Sequence, residues 1–160
     1  MTDNDDPSDL TLMRTASMRV GLPAGWEAEI DNGSGEAEAG TVVATPRAHI
    51  ANFALPPNRG DFGSGAVERM QAGDVLICLL EEDPAVIGSR LFDHAGLPSV
   101  TAEDFSPTGM QRPIRGQSGA QKFFHVNARA FALYVVVGSH LSRASFIDEI
   151  NQVIAAIDVS

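Results

Sequence analysis

The sequence predicts an α+β domain: an antiparallel β-sheet with flanking helices and a C-terminal amphipathic helix packed on the sheet. Three observations carry that expectation. Val75 to Leu80 is an unbroken apolar run between Gly73-Asp74 and Glu81-Glu82-Asp83-Pro84, the pattern of an interior strand covered on both faces. Gln121 to Val126 and Arg129 to Val137 are β-rich runs separated only by Asn127-Ala128, which reads as a tight hairpin although its second turn residue is not the usual Gly. Phe146, Ile147, Ile150, Val153, Ile154 and Ile157 recur at the three-to-four spacing of one helical face, with Asp148, Glu149, Asn151 and Gln152 on the other.

The remaining elements follow in chain order. Residues 1 to 16 hold four Asp and few large apolar groups, too little to offset the entropy of ordering, so they are expected to be an acidic disordered tail before a single domain over residues 17 to 160. Met18 to Leu22 reads as a strand. After Pro23-Ala24-Gly25, Trp26, Ala28 and Ile30 alternate with Glu27 and Glu29 as a second, half-buried strand. Asp31 to Gly35 is expected to turn, with Glu36 to Gly40 extending the loop. A third strand is expected at Ala48 to Leu55, closed by Pro56-Pro57, with an extra strand at Thr41 to Ala44. Ser64 to Gln71 reads as a short helix, and Asp83-Pro84 as the cap and first-turn Pro of another reaching Phe92. Gly116-Gln117-Ser118-Gly119-Ala120 lacks the second Gly of a nucleophile elbow and reads as a turn into the hairpin.

Composition narrows the class of function. The chain has 160 residues and a formal net charge of -10, which disfavours a nucleic-acid partner because phosphate contacts need a dense basic stripe. The charge is unevenly spread: residues 1 to 104 carry 18 acids and 6 bases, whereas Phe105 to Ile147 has no acid at all. The single cysteine, Cys78, lies inside an apolar strand and is expected to be a buried small hydrophobe with an unreactive thiol. An acidic N-terminus and no apolar run near 18 residues predict a cytoplasmic protein with no membrane span. The four histidines, at 49, 94, 125 and 140, show no metal-ligand spacing, so neither a metal nor another cofactor is expected.

The strand ending in Leu22-Pro23-Ala24-Gly25-Trp26, the hairpin from Gln121 to Val137 and the closing helix ending Ile154-Ala155-Ala156-Ile157-Asp158-Val159 resemble the PsbP-like superfamily. That resemblance implies an antiparallel sheet with helices on its faces. It also implies a role among accessory binding or assembly factors, with no shared functional residue to carry over.

Arg112, Arg115, Lys122 and Arg129 fall in the acid-free stretch and are the candidate partner-binding residues. Arg59-Gly60-Asp61 matches the integrin-recognition tripeptide, but a match this short arises readily by chance and needs an extracellular protein. Gly60-Asp61-Phe62-Gly63-Ser64-Gly65 is Gly-rich without the Lys and hydroxyl of a phosphate-binding loop. The expected function is a non-enzymatic binding or assembly domain for a protein partner. One alternative is a small hydrolase or transferase whose site assembles His49, His125 and Asp61, and another is small-ligand binding without chemistry.

Overall fold

Eight strands and one α-helix are arranged in the computed structural model, which describes residues 10–14, 17–36 and 42–159. In chain order the strands are β1 (Thr11–Arg14), β2 (Met18–Leu22), β3 (Glu27–Glu36), β4 (Val42–Ala51), β5 (Val75–Glu82), β6 (Ser118–Val126), β7 (Arg129–Val137) and β8 (Ile157–Val159). The helix α1 (Ile147–Ala155) precedes β8. All pairings between these strands are antiparallel: five strands run β3-β4-β5-β7-β6 and three run β1-β2-β8. The α+β class and the helix packed on the sheet are both present.

Alternation along β5 and β7 divides the interior into two layers. Val75, Ile77 and Leu79 of β5 share one face with Phe131, Leu133, Val135 and Val137 of β7. Ile150, Val153 and Ile154 of α1 bury in that same cluster, as do Met18, Val20 and Leu22 of β2. Leu76, Cys78, Leu80, Tyr134 and Val136 form the opposite face, covered by Ala66, Val67 and Met110 from connecting loops. Period-two side chains on a strand with apolar residues at both parities require a cover on each side, and the chain supplies helix and small sheet to one, loops to the other. Burial removes the Cys78 thiol from water and pushes its pKa up, so the thiol form persists in the folded protein.

Several boundaries differ from the sequence expectations. Asp31 to Gly35 does not turn; β3 runs on to Glu36, paired with β4 through Glu36↔Val42. The two strands expected at Thr41 to Ala44 and Ala48 to Leu55 are one, β4, which continues through Pro46 and ends at Ala51. Proline is tolerated there because β4 meets β5 only from Arg47 onward, so Pro46 has a strand neighbour on one side alone. The two upstream helices shrink to short 3-10 turns, one in place of the first and two in place of the second. Gly63 and Gly65, both at positive φ, confine the first to Val67–Arg69. Gly88 (φ 96°) splits the second into Pro84–Val86, capped by Asp83 Oδ1 accepting the Ala85 N–H at 2.9 Å, and Arg90–Phe92. Ile157 is buried as expected, but in β8 rather than in the helix.

The expected tail is partly built into the fold. Thr11–Arg14 pair with β2 as β1, with all four residues exposed. Residues 1–9 and 15–16 lie outside the described residues. Polar side chains then tie the layers together. Trp26 Nε1 donates to Glu149 on α1 at 2.5 Å, and Asn151 grips the backbone of Val100 in both directions at 2.8 and 2.9 Å. Arg129 forks onto Glu81, donates to the Ser17 carbonyl at 2.9 Å and lies 5.1 Å from the Phe131 ring centre, so one guanidinium joins both sheets.

The β6–β7 turn places Asn127 at φ 53° and Ala128 at φ 58°, as a type I′ hairpin requires. Asparagine tolerates that region, and its side chain donates to the Val159 carbonyl at 2.5 Å; alanine gains nothing there and pays the Cβ clash. Ala128→Gly is therefore expected to raise stability by about 1 kcal/mol, measured as a higher urea midpoint at unchanged slope. Ile150→Ala should lower stability by about 2–5 kcal/mol in the same assay, because Ile150 is fully buried between α1 and the large sheet.

Candidate functional site

The loop between β4 and β5 crosses the second face of the large sheet, and a buried histidine holds it there. His49 points from β4 to that face and is 2 % exposed. Its Nε2–H donates to the Asp61 carbonyl at 2.8 Å, while Nδ1 accepts the Arg59 Nε–H at 3.0 Å. Both ring nitrogens are thus committed and the ring is neutral. Burial first, then the Arg59 guanidinium, lower its pKa from 6.5 to about 4. Arg59 is itself enclosed, with Glu29 of β3 as its ion-pair partner and the Pro56 carbonyl as a further acceptor. Beside it Arg47 pairs with Asp31 at 2.6 Å and with the Asp61 carboxylate.

Past Asp61 the loop folds on its own backbone. Gly60 N–H donates to the Ser64 carbonyl, Gly63 N–H to Gly60, and both Ala66 and Val67 N–H to Gly63, each at 2.9–3.0 Å. The Gly65 N–H is taken by the Glu68 carboxylate at 2.7 Å. These amides are spent inside the loop and do not form an anion cradle. Gly63 is required by contact as well as by its φ of 84°, since a Cβ would stand 2.3 Å from Leu76 Cδ2. That close approach sets Phe62 edge-on to Tyr134, with ring centres 5.7 Å apart at 82°.

Between this loop and residues 110–112 lies a cleft of about 250 Å³. Phe62, Val67, Met110 and Tyr134 give it an apolar interior, and Asp61, Ser64, Glu68, Gln111 and Arg112 line it with polar groups. Tyr134 belongs to β7 and is almost fully buried; its hydroxyl oxygen accepts the Gln111 N–H at 2.9 Å, which fixes the 110–112 segment over the sheet. Burial raises the phenol pKa and the Gln111 N–H partly opposes it, so the ring stays a neutral floor. Asp61 and Glu68 stand on the wall from the β4–β5 loop and Arg112 on the wall from the β5–β6 connection. The acids already have partners in Arg47 and the Gly65 amide. Arg112 is exposed and has no ion pair among the described residues.

The four basic candidates therefore part company. Arg129 is consumed by Glu81 and Ser17, and Lys122 pairs with Asp104 at 3.0 Å. Burial works against the Asp104 carboxylate, but the Thr101 N–H and Lys122 outweigh it and hold its pKa below the usual value. Arg112 lines the cleft; Arg115, also exposed, lies three residues further along the same loop. Of the proposed catalytic trio, His49 meets Asp61 only through the Asp61 carbonyl. His125 sits on β6, three strands across the sheet, with Nδ1 bonded to the Phe92 carbonyl at 2.5 Å. The three do not converge on one cleft. Ser118 is fully buried in β6, and the integrin-like tripeptide has its Arg59 side chain 5 % exposed, so neither is presented to a partner.

Met110, Glu68 and Tyr134 were not singled out from the sequence, and Phe62 was read only as part of the Gly-rich stretch Gly60 to Gly65. A single signal pointed to one of them: Tyr134 is the only polar-tipped side chain between Ala130 and Val137, and a buried hydroxyl needs a partner. No protein-family model, no curated protein and no solved structure matches the chain.

The His49 latch makes a signed prediction. Its folded-state pKa lies below its ordinary value, so the unfolded chain takes up the proton first as pH falls. Its contribution to stability is complete above pH 6.5 and is lost towards pH 4, a change of about 3 kcal/mol across that window. His49→Gln should flatten the dependence of unfolding free energy on pH between 6.5 and 4, whatever it costs at neutral pH. Urea titrations at half-unit pH steps read that slope, and equal slopes in the two proteins would count against the latch.

Proposed function

We propose that the protein is a non-enzymatic binding domain for a protein partner, and that the cleft between Phe62 and Arg112 takes one side chain of that partner. The observation that carries this reading is the size and lining of the cleft. About 250 Å³ is below the roughly 300–1,000 Å³ of small-molecule and cofactor sites, yet it suits a single large residue. A rigid aromatic floor ringed by polar groups is the pattern of an anchor pocket at a protein interface. The resemblance to the PsbP-like superfamily points the same way. The hydrolase or transferase alternative would use His49 as its base, and both ring nitrogens of His49 serve the loop instead.

The same reading takes the protein as cytoplasmic and has no nucleic acid among its partners, the latter on the strength of its net charge. No helix among the described residues is long and apolar enough to cross a membrane.

A synthetic peptide library, half tethered by its N-termini and half by its C-termini, tests the proposal directly. At least one half should yield peptides that bind the wild-type protein and lose at least tenfold in affinity on Gln111→Trp. That substitution keeps the Gln111 backbone N–H on Tyr134 and lays an indole across the cleft mouth from an exposed position. Its fold is checked by unfolding midpoint. No enriched peptide, or binders indifferent to Gln111→Trp, would refute the assignment.

A further inference from the structure

The charges around the cleft identify what part of a partner enters it, an inference that rests on the binding role proposed above. One wall carries carboxylates that are already engaged, Asp61 with Arg47 and Glu68 with the Gly65 amide. The other carries Arg112, which lines the cleft without an ion pair among the described residues. A guanidinium beside an apolar pocket asks for a carboxylate that arrives together with an apolar group. The opposite wall, with two carboxylates and the Ser64 hydroxyl, offers acceptors to an N–H donor.

Two kinds of peptide could supply a carboxylate here, and the electrostatics separate them. A run of acidic side chains would be repelled at long range by a protein of net charge -10, whose acids outnumber its bases 21 to 11. A chain terminus brings a single carboxylate. It also brings that carboxylate, an apolar side chain and a backbone N–H on one residue, and one residue is what about 250 Å³ admits. A mid-chain segment would need the backbone to leave again past the Arg112 wall.

We infer that the cleft captures the C-terminal residue of a partner polypeptide, with its α-carboxylate on Arg112, its apolar side chain against Phe62, Met110 and Tyr134, and its amide N–H towards the Glu68 wall. Recognition of a terminal carboxylate next to a side-chain pocket is an established mode of peptide binding, and here it uses a guanidinium in place of backbone amides. The apolar floor favours leucine, methionine or phenylalanine at the terminus over polar residues. Because the guanidinium is at the rim and accessible, the contact is reversible and its contribution is that of one charge-assisted bond.

The probes are acetyl-Gly-Gly-Leu and acetyl-Gly-Gly-Phe, each as the free acid and as the amide, titrated into the full-length protein by NMR chemical-shift perturbation. The free acids should bind about tenfold more tightly than the amides, the gain expected of one charge-assisted hydrogen bond. Arg112→Gln should abolish that preference, and Arg112→Lys should restore most of it. Equal binding of acid and amide, with both lost on Gln111→Trp, would overturn terminal capture while leaving the binding role intact. Binding of neither, joined to an empty peptide library, would overturn both. Free leucine or phenylalanine binding as tightly as the capped peptides would identify a small amino acid as the occupant and overturn a polypeptide one.

Discussion

The pairing of β5 with β7, from Val75↔Val137 to Glu82↔Ala130, is the constraint from which the other features follow. Both strands are apolar at both parities, and a strand pair of that kind is stable only with cover on each face. On one face the cover is regular: α1 and the small sheet bury Ile150, Ile154, Met18 and Val20 against Phe131 and Leu133. On the other it is irregular, built from loops whose own backbone needs must be met. Each loop residue that packs there brings an amide and a carbonyl that cannot be left dry.

The protein meets that demand with polar side chains, of which His49, Arg59 and Tyr134 are buried and Glu29 is exposed, and these in turn define the candidate site. His49, Arg59 and Glu29 form a connected set under the β4–β5 loop, and Tyr134 accepts the Gln111 N–H under the β5–β6 connection. A buried cation is tolerated only when its hydrogen-bonding capacity is satisfied, which Arg59 achieves through Glu29, His49 and the Pro56 carbonyl. The two loops are pinned independently, one by a histidine on β4 and one by a tyrosine on β7. The gap left between them is the cleft. Its walls are set by the fold, so the binding role proposed for it would carry little ordering cost.

This arrangement also separates structural from available charge. Arg47, Arg59, Lys122 and Arg129 each have an acidic partner within the fold, and their work is to hold strands, loops and sheets in place. Arg112 and Arg115 are exposed on a loop with no ion pair among the described residues. An acid-free stretch of sequence therefore contained both kinds, distinguished only by what the folded chain brings opposite them.

What the sequence determined by itself is the set of elements whose signal is local. The two-faced strand at Val75 to Leu80, the Asn127-Ala128 hairpin and the amphipathic α1 were legible because periodicity and turn chemistry report directly on burial. Weak local signals misled where a neighbour overrode them. Asp31 to Gly35 has turn residues yet extends β3, because β4 pairs with it along its whole length. Ser64 to Gln71 has helical spacing yet keeps only the turn Val67–Arg69, because Gly65 takes a positive φ of 92° that breaks the helical path. The site belongs to the tertiary structure alone: Phe62, Glu68, Arg112 and Tyr134 come from segments far apart in the chain, and their meeting depends on strand order and on two long-range hydrogen-bonded anchors. No local pattern encodes that meeting, since contact between distant segments is decided by which faces they bury together.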